Sequence, residues 1–235
     1  MGTITLIRHG QASFGKANYD QLSELGFRQG RELGRWFSDC QTRLDRIVTG
    51  SLARHKQTAS ACCETLTPDL APDSAWETLR EFNEYDHVQM LHRQEPGFAD
   101  PAWVKALFMD HPDPRKEFQR IFSAAFARWI GGQHDADYDE PWQAFRARCI
   151  RGLEMLIDSA ARSQHIAVFT SGGPISAITQ HLLKMPDSEA AKLNSSIINA
   201  STTKILFQPG HVTLSALNSH AHFERLSGES LITYR

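Results

Sequence analysis

The sequence predicts an α/β fold in which a mainly parallel central sheet lies between two layers of helices. Three observations predict it: short β-branched runs are mostly apolar throughout, helical patterns separate these runs, and polar clusters follow the runs where they end. Runs without a polar face are typical of strands buried in a parallel sheet. Strands that alternate with helices favour helices on both faces of that sheet.

The strand pattern occurs in residues 3–7 (TITLI), 46–50 (RIVTG) and 165–170 (HIAVFT). Helical spacing predicts two amphipathic helices, since apolar residues keep one stripe over 22–37 and step by three and four over 142–156. Near the C-terminus, TTKILFQPGHVTLSALN has two strand-like runs around Pro209-Gly210. Such a turn between two runs predicts a hairpin.

Residues 86–138 are less regular. Turn-rich stretches surround one helical pattern over 118–129, which predicts an insertion or lid. The chain has 235 residues, 41% of them hydrophobic, and shows no repeat or low-complexity tract. We therefore expect a single domain over 1–235 that contains the insertion.

The charge balance limits the classes of partner. Lys and Arg total 25 against 27 Asp and Glu, a net charge of −2, so no general basic field attracts nucleic acid or an anionic membrane. Nor is any apolar run long enough to cross a bilayer. The cysteines, Cys40, Cys62, Cys63 and Cys149, form no Cys-x-x-Cys pair or metal-ligand spacing. We expect a cytoplasmic protein, and the oligomeric state stays open.

Three polar clusters follow the predicted strands: RHG (8–10), GSLARHKQTA (50–59) and TSGGP (170–174). In α/β sheets the carboxyl ends of the strands meet at one edge, where ligands bind. Helix starts with exposed glycine amides favour anions, and the guanidinium forks of Arg8 and Arg54 suit phosphate oxygens. His9 would lie among these groups. Its neutral imidazole is a competent nucleophile, and nearby arginines disfavour its protonation.

Ser171 has three possible roles. The nucleophile-elbow pattern Gly-x-Ser-x-Gly fails because position 169 is Phe. A phosphate-binding turn with Gly172 and Gly173 and a purely structural turn both stay open. His220 and His222 lack a carboxylate or cysteine partner at ligand spacing, so no metal site is expected.

Several of these motifs carry a family resemblance. LIRHGQAS, SLARHKQTA and LREF (79–82) resemble the histidine phosphatase superfamily, which has the phosphoglycerate mutase-like fold and a phosphohistidine intermediate. LSELGFRQG (22–30) and NSHAHF (218–223) are also similar to family stretches. The resemblance covers most of the chain except 86–138, and it implies chemistry without a metal or cofactor.

The resemblance implies a role for each matching residue. His9 would be the phosphorylated nucleophile, and Arg8 and Arg54 would hold the phosphoryl oxygens. Glu81 would protonate the leaving oxygen and then activate water, with Glu84 as the rival acid.

Two departures from the family pattern affect the phosphate pocket. Ser171 stands where the family has its second histidine, and a hydroxyl can donate one hydrogen bond but carries no charge. His220 and His222 are candidates to compensate, whereas His55 is expected to face solvent.

The second departure follows RHG, where Phe14-Gly15 replaces the family's Trp-Asn. Gln11 or Asn18 would then supply the missing phosphate contact. We expect Gln11, Ser171 and Gly172 to bind substrate.

The predicted function is a metal-independent hydrolase of phosphoric monoesters, of the histidine acid phosphatase type, acting through phospho-His9 on a small phosphate ester or a phosphoprotein. A protein that binds phosphorylated ligands without competent chemistry is the alternative, and Ser171 motivates it. A phosphoglycerate mutase-type phosphotransferase is a third possibility. It is disfavoured because LREFNEYDH (79–87) differs from the mutases' Leu-Asn-Glu-Arg-His-Tyr-Gly.

Overall fold

A six-stranded sheet organises the computed structural model, which describes residues 1–13, 20–72, 75–226 and 230–234. The strands are β1 (Gly2–Arg8), β2 (Arg46–Thr49), β3 (Glu77–Thr78), β4 (His165–Thr170), β5 (Thr202–Gln208) and β6 (His211–Ser219). The helices are α1 (Glu24–Asp39), α2 (Ala53–Cys63), α3 (His87–Gln94), α4 (Pro101–Met109), α5 (Pro114–Ile130), α6 (Trp142–Ser159), α7 (Gly172–Leu183), α8 (Asp187–Ser196) and α9 (Ala221–Glu224).

The strand order is β3-β2-β4-β1-β5-β6. β1 and β2 both pair in parallel with β4, and β3 pairs in parallel with β2. β5 runs antiparallel to β1 and forms the predicted hairpin with β6, with Gly210 in the turn at φ +72°. The mainly parallel sheet is therefore confirmed.

Helices cover both faces of the sheet. Successive strand residues point to opposite sides, so each strand contributes side chains to two cores. Leu6 and Val168 pack into a core that α5, α6 and α7 complete, whereas Ile7 and Phe169 pack into a second core with α1 and α2. The apolar strand runs thus have no polar face because each side meets a helix layer. The three-layer α/β/α fold predicted from the sequence is confirmed.

Residues 86–138 contain three α-helices, of which the apolar pattern predicted only α5. Each begins with a capping aspartate: Asp86, Asp100 and Asp113 accept the backbone N–H of Gln89, Ala102 and Lys116 at 2.8–3.2 Å. In α4 and α5 a proline follows the aspartate, where its missing N–H is not needed. The Asp-Pro pairs that read as turns therefore start helices.

Across the described ranges of the chain, no helix is both long enough and apolar enough to cross a membrane.

Candidate active site

The carboxyl ends of the central parallel strands bring the predicted polar clusters together. Arg8 is in register with Thr170, and Thr49 with Phe169. Beyond the strand ends, the His9 N–H donates to the Thr170 carbonyl at 2.8 Å, and the Gly50 N–H donates to the Phe169 carbonyl at 3.0 Å. RHG, the start of α2 and TSGGP therefore share one edge of the sheet.

His9 is buried with a defined tautomer. Its Nδ1 lies 2.7 Å from the Gly10 carbonyl oxygen, which can only accept, so Nδ1 carries the hydrogen. Burial and the charges of Arg54 and Arg8 lower the pKa of His9 well below 6.5. The ring is therefore neutral at pH 7 and has its lone pair on Nε2. The backbone at His9 is also fixed, because the Asn199 amide donates to its carbonyl at 3.1 Å.

Two buried arginines accompany His9 along the cavity. Arg54 Nη1 donates to Asp20 Oδ1 at 2.9 Å, and the other oxygen of Asp20 accepts the Ala53 N–H at the start of α2. Arg8 Nη1 donates to the carbonyls of Ile197 and Tyr234. Both guanidinium groups are thus oriented by the fold and lie next to the histidine. Together they form a local cationic site in a chain of nearly balanced charge.

The structure separates the two candidate acids. Glu84 lines the cavity with His9 and the arginines, whereas Glu81 is not among the lining residues. Glu81 turns towards α6, where a Cβ added to Gly152 would lie 2.7 Å from the Cβ of Glu81. Glu84 Oε1 accepts the Gly173 N–H at 3.1 Å. Burial raises the pKa of Glu84 above its usual 4.5, although Arg54, Arg8 and the backbone N–H of Gly173 and Tyr85 oppose that rise.

His55 is completely buried, so the expectation that it faces solvent was wrong. Its side chain points to the sheet edge because Gly50 leaves space for it. A Cβ on Gly50 would lie 2.2 Å from His55 Nδ1. His55 Nε2 is 2.7 Å from Ser171 Oγ, and the rings of His55 and His9 are 5.8 Å apart. An imidazole thus lies beside Ser171, but it comes from α2.

The tautomer of His55 decides what Ser171 can donate. Burial and the Arg54 charge lower the pKa of His55, which keeps it neutral. Nδ1 has no hydrogen-bond partner in the part of the chain that the structure describes. Because a buried N–H without a partner is rarer than an unpaired acceptor, the hydrogen belongs on Nε2. His55 then donates to Ser171, and the Ser171 hydroxyl hydrogen is available for a third group.

The other predicted binding residues lie around the cavity rather than on its wall. Gln11 Oε1 accepts the Ser23 hydroxyl at 2.9 Å. Gly172 begins α7, and a Cβ there would lie 2.6 Å from Asn194 Oδ1. Neither Gln11, Gly172 nor Ser171 is among the residues that line the cavity. Asn18, like Phe14 and Gly15, lies outside the described residues.

His220 and His222 are not placed to compensate for Ser171, because neither lines the cavity. His220 Nδ1 lies 2.9 Å from the Asn218 carbonyl oxygen. His222 is buried with its ring 4.0 Å from that of Phe223. Sequence reasoning missed His55 and also Asp20, which lies 34 residues before Arg54 in the chain. No local pattern could have paired these residues.

An α/β/α fold in which a buried neutral histidine and two arginines line one cavity is typical of proteins that handle phosphate groups. The chain belongs to the histidine phosphatase superfamily, branch 1, whose family model matches residues 4–220. The resemblance stated from the motifs is therefore confirmed. Membership of this superfamily supports a phosphatase- or mutase-type enzyme activity.

Solved structures show the same fold. Phosphoglycerate mutase from Bacillus anthracis str. Sterne aligns with a TM-score of 0.63 and 18% identity over 94% of each chain. Phosphoserine phosphatase from Entamoeba histolytica, in complex with 3-phosphoglyceric acid, gives 0.62 and 18% over 94% of this chain and 99% of that chain. A mycobacterial glucosyl-3-phosphoglycerate phosphatase gives 0.60 and 21% over 94% and 100%. No curated protein matches the chain in sequence.

Proposed function

We propose that this protein hydrolyses phosphoric monoesters through a phosphohistidine intermediate on His9. One observation carries the proposal: a buried, neutral His9 lines a cavity with Arg8, Arg54 and Glu84. The structural neighbours carry names of phosphorylated small molecules, which fits a small phosphate ester as substrate. Ser171 favours binding without turnover as the competing function, since the family's second histidine is missing.

In the proposed first step, His9 Nε2 attacks phosphorus in line with the leaving oxygen. A bond forms between nitrogen and phosphorus while the ester P–O bond breaks. Arg8 and Arg54 stabilise the charge on the equatorial oxygens. The leaving oxygen takes a proton from Glu84, so the alcohol departs neutral.

In the second step the phosphoryl group passes to water. Glu84, now a carboxylate, takes a proton from a water molecule whose oxygen attacks phosphorus. The N–P bond breaks, phosphate is released, and both His9 and Glu84 return to their starting protonation states. We assign the acid–base role to Glu84 rather than Glu81 because Glu84 shares the cavity with the histidine.

A rapid-quench experiment tests the function. Enzyme mixed with p-nitrophenyl phosphate in the presence of EDTA should release nitrophenol and gain the mass of one phosphoryl group on His9, detected by peptide mass spectrometry. Binding of phosphate esters with neither turnover nor adduct would show a ligand-binding protein. Net transfer of the phosphoryl group between hydroxyls of one substrate, without release of phosphate, would show a mutase.

The contact between His55 and Ser171 predicts coupled effects of mutation. Ser171 does not line the cavity, but its partner His55 has its ring centroid 5.8 Å from that of His9. If the Ser171 hydroxyl donates to the phosphoryl group, Ser171→Ala lowers kcat on the order of 100-fold, as expected for loss of one preorganised donor. His55→Ala removes the group that orients this hydroxyl, so its effect approaches the same size. The double variant should then be within about threefold of Ser171→Ala, as for residues that act as one unit. Additive losses in the double variant would contradict the pairing.

The same contact predicts how a histidine at position 171 behaves. Ser171 is completely buried with the His55 ring against its oxygen, so Ser171→His alone places two imidazoles in one space. Pairing it with His55→Ala makes room for the new ring. We expect this double variant to be at least tenfold more active than Ser171→His, in line with relief of an overpacked core. Equal activities would show that His55 does not occupy the space.

A further inference from the structure

The cavity beside His9 has two chemically different ends. Its volume is about 380 Å³, within the range of roughly 300–1,000 Å³ in which protein pockets hold small molecules. One end has Arg8, His9, Arg54 and Glu84. The rest of the wall is mostly apolar, but it also holds the polar side chains of His87, His92, Asn194 and Asn199. Its main apolar side chains are Val88, Leu91, Phe98, Val104, Phe108, Phe118 and Phe122.

The helices of 86–138 build this apolar wall. Phe118 of α5 stands at its centre, with ring centroids 6.1 Å from Phe98, 5.8 Å from Phe108 and 6.1 Å from Phe122. Contacts between these rings hold the wall together before any ligand binds. These rings pack against the main core on one side and line the open cavity on the other. Apolar surface therefore lies next to the phosphate site.

Permanent charge on the described part of the wall is confined to the catalytic end, although His87 and His92 of α3 also line the cavity. Beyond Arg8, Arg54 and Glu84, none of the described residues that line the cavity is Lys, Arg, Asp or Glu. A substrate with a second carboxylate or phosphate would lose hydration there without gaining a permanent counter-charge, which is costly. An uncharged hydrocarbon group gains free energy on entering the same space.

We infer that the cavity selects phosphoric monoesters of apolar, uncharged alcohols, in which an alkyl or aryl group fills the wall formed by α3, α4 and α5. The inference rests on the proposed function and adds its substrate class. It identifies 86–138 as the segment that determines specificity.

A series of alkyl phosphates tests this inference. From ethyl to butyl to hexyl phosphate, kcat/KM should rise about fourfold for each methylene, the gain expected when a methylene group leaves water. At a pH of about 8, above the usual ionisation range of imidazole, a matched series with a carboxylate at the far end of the chain should be at least tenfold poorer at equal length. The wall offers that carboxylate no permanent counter-charge. Equal rates along the alkyl series, or a preference for the carboxylated esters, would overturn the inference.

Val88 offers a variant that acts on the wall without disturbing the core. It lines the cavity and is 48% exposed, so Val88→Lys places a charge at the rim of the wall. The variant should reduce the preference for hexyl phosphate over its carboxylated partner by about tenfold, the effect of one new ion pair at a partly desolvated site. Met109→Lys is the matched control, because Met109 is 73% exposed and does not line the cavity. An unchanged preference in Val88→Lys would count against the wall as the selecting surface.

Binding of phosphonates separates this inference from the proposed function. Titration calorimetry with ethyl- and hexylphosphonate, which cannot be hydrolysed, should show tighter binding of the longer chain even if the protein turns over no ester. Tighter binding of hexylphosphonate together with no turnover of any ester would keep the inference and remove the hydrolase. Turnover of phosphate esters together with equal affinity for both phosphonates would keep the hydrolase and remove the inference.

Discussion

Replacing His9 with alanine is expected to abolish hydrolysis. Among the described residues at the phosphate end of the cavity, no side chain other than His9 is a neutral nucleophile, since Arg8 and Arg54 are cations and Glu84 serves as the acid. The loss should reach a factor on the order of 10⁵ or more, the size typical of removing a covalent nucleophile. Steady-state release of phosphate from p-nitrophenyl phosphate measures it, with the phosphoryl adduct absent from the variant.

The fold should survive this change. Within the described parts of the chain, the His9 ring has one short hydrogen bond, to the neighbouring Gly10 carbonyl. The backbone bonds of His9 to Thr170 and Asn199 do not involve its side chain. Phosphate binding should persist because both arginines remain. His211→Ala removes an exposed imidazole from the β5–β6 hairpin and serves as the control, with unchanged turnover expected. Substantial turnover by His9→Ala would rule out the phosphohistidine route.

The parts of this protein that could be predicted are those that local sequence determines. Apolar strand runs that end in RHG and TSGGP are enough to bring His9 and Ser171 to one sheet edge, since parallel strands share their carboxyl ends. The amphipathic stripes gave α1, α5 and α6. Helix α4 was missed because the Asp100-Pro101 pair that starts it lies in a stretch interpreted as turn-rich. Helix α3 was missed because no helical pattern was recognised after Asp86.

The parts that could not be predicted depend on contacts between distant residues. His55 and Ser171 are 116 positions apart in the sequence. Only the folded chain shows that Gly50 leaves room for the His55 ring, which then reaches Ser171. The choice between Glu81 and Glu84 depends on backbone direction. A single 3₁₀ turn over Arg80–Phe82 is followed by extended backbone at Asn83, which turns the two carboxylates to different surroundings. Their spacing of three residues carries no information about that turn.

Replacing Glu84 with glutamine should have the second largest effect. General acid catalysis typically contributes about 10²- to 10⁴-fold, so kcat/KM for an alkyl phosphate should fall by that factor. Glu81→Gln is the matched control, since the same chemical change three residues earlier lies outside the cavity. Its kcat/KM should be within about twofold of the wild type, as for substitutions away from the reacting groups.

The size of the loss in Glu84→Gln should depend on the leaving group. An alkoxide needs a proton in order to leave, whereas nitrophenolate is stable without one. Glu84→Gln should therefore reduce kcat/KM much more for hexyl phosphate than for p-nitrophenyl phosphate. For the nitrophenyl ester, kcat should fall more than kcat/KM, because the second step still lacks its base and phospho-His9 accumulates. Equal losses for both esters would remove Glu84 as the acid.

The pH dependence of kcat/KM should reflect the protonation states of His9 and Glu84. His9 must be neutral to attack, and its lowered pKa keeps it so well below pH 6.5. Glu84 must be protonated to act as the acid, and its raised pKa extends that state to higher pH than an ordinary glutamate allows. For alkyl phosphates, kcat/KM should thus be largest at acidic pH and decrease as pH rises through the Glu84 pKa. In Glu84→Gln that decrease should disappear, leaving only the ionisation of the substrate phosphate near pH 6. If instead Glu81→Gln lost the decrease while Glu84→Gln kept it, the proton donor would be Glu81.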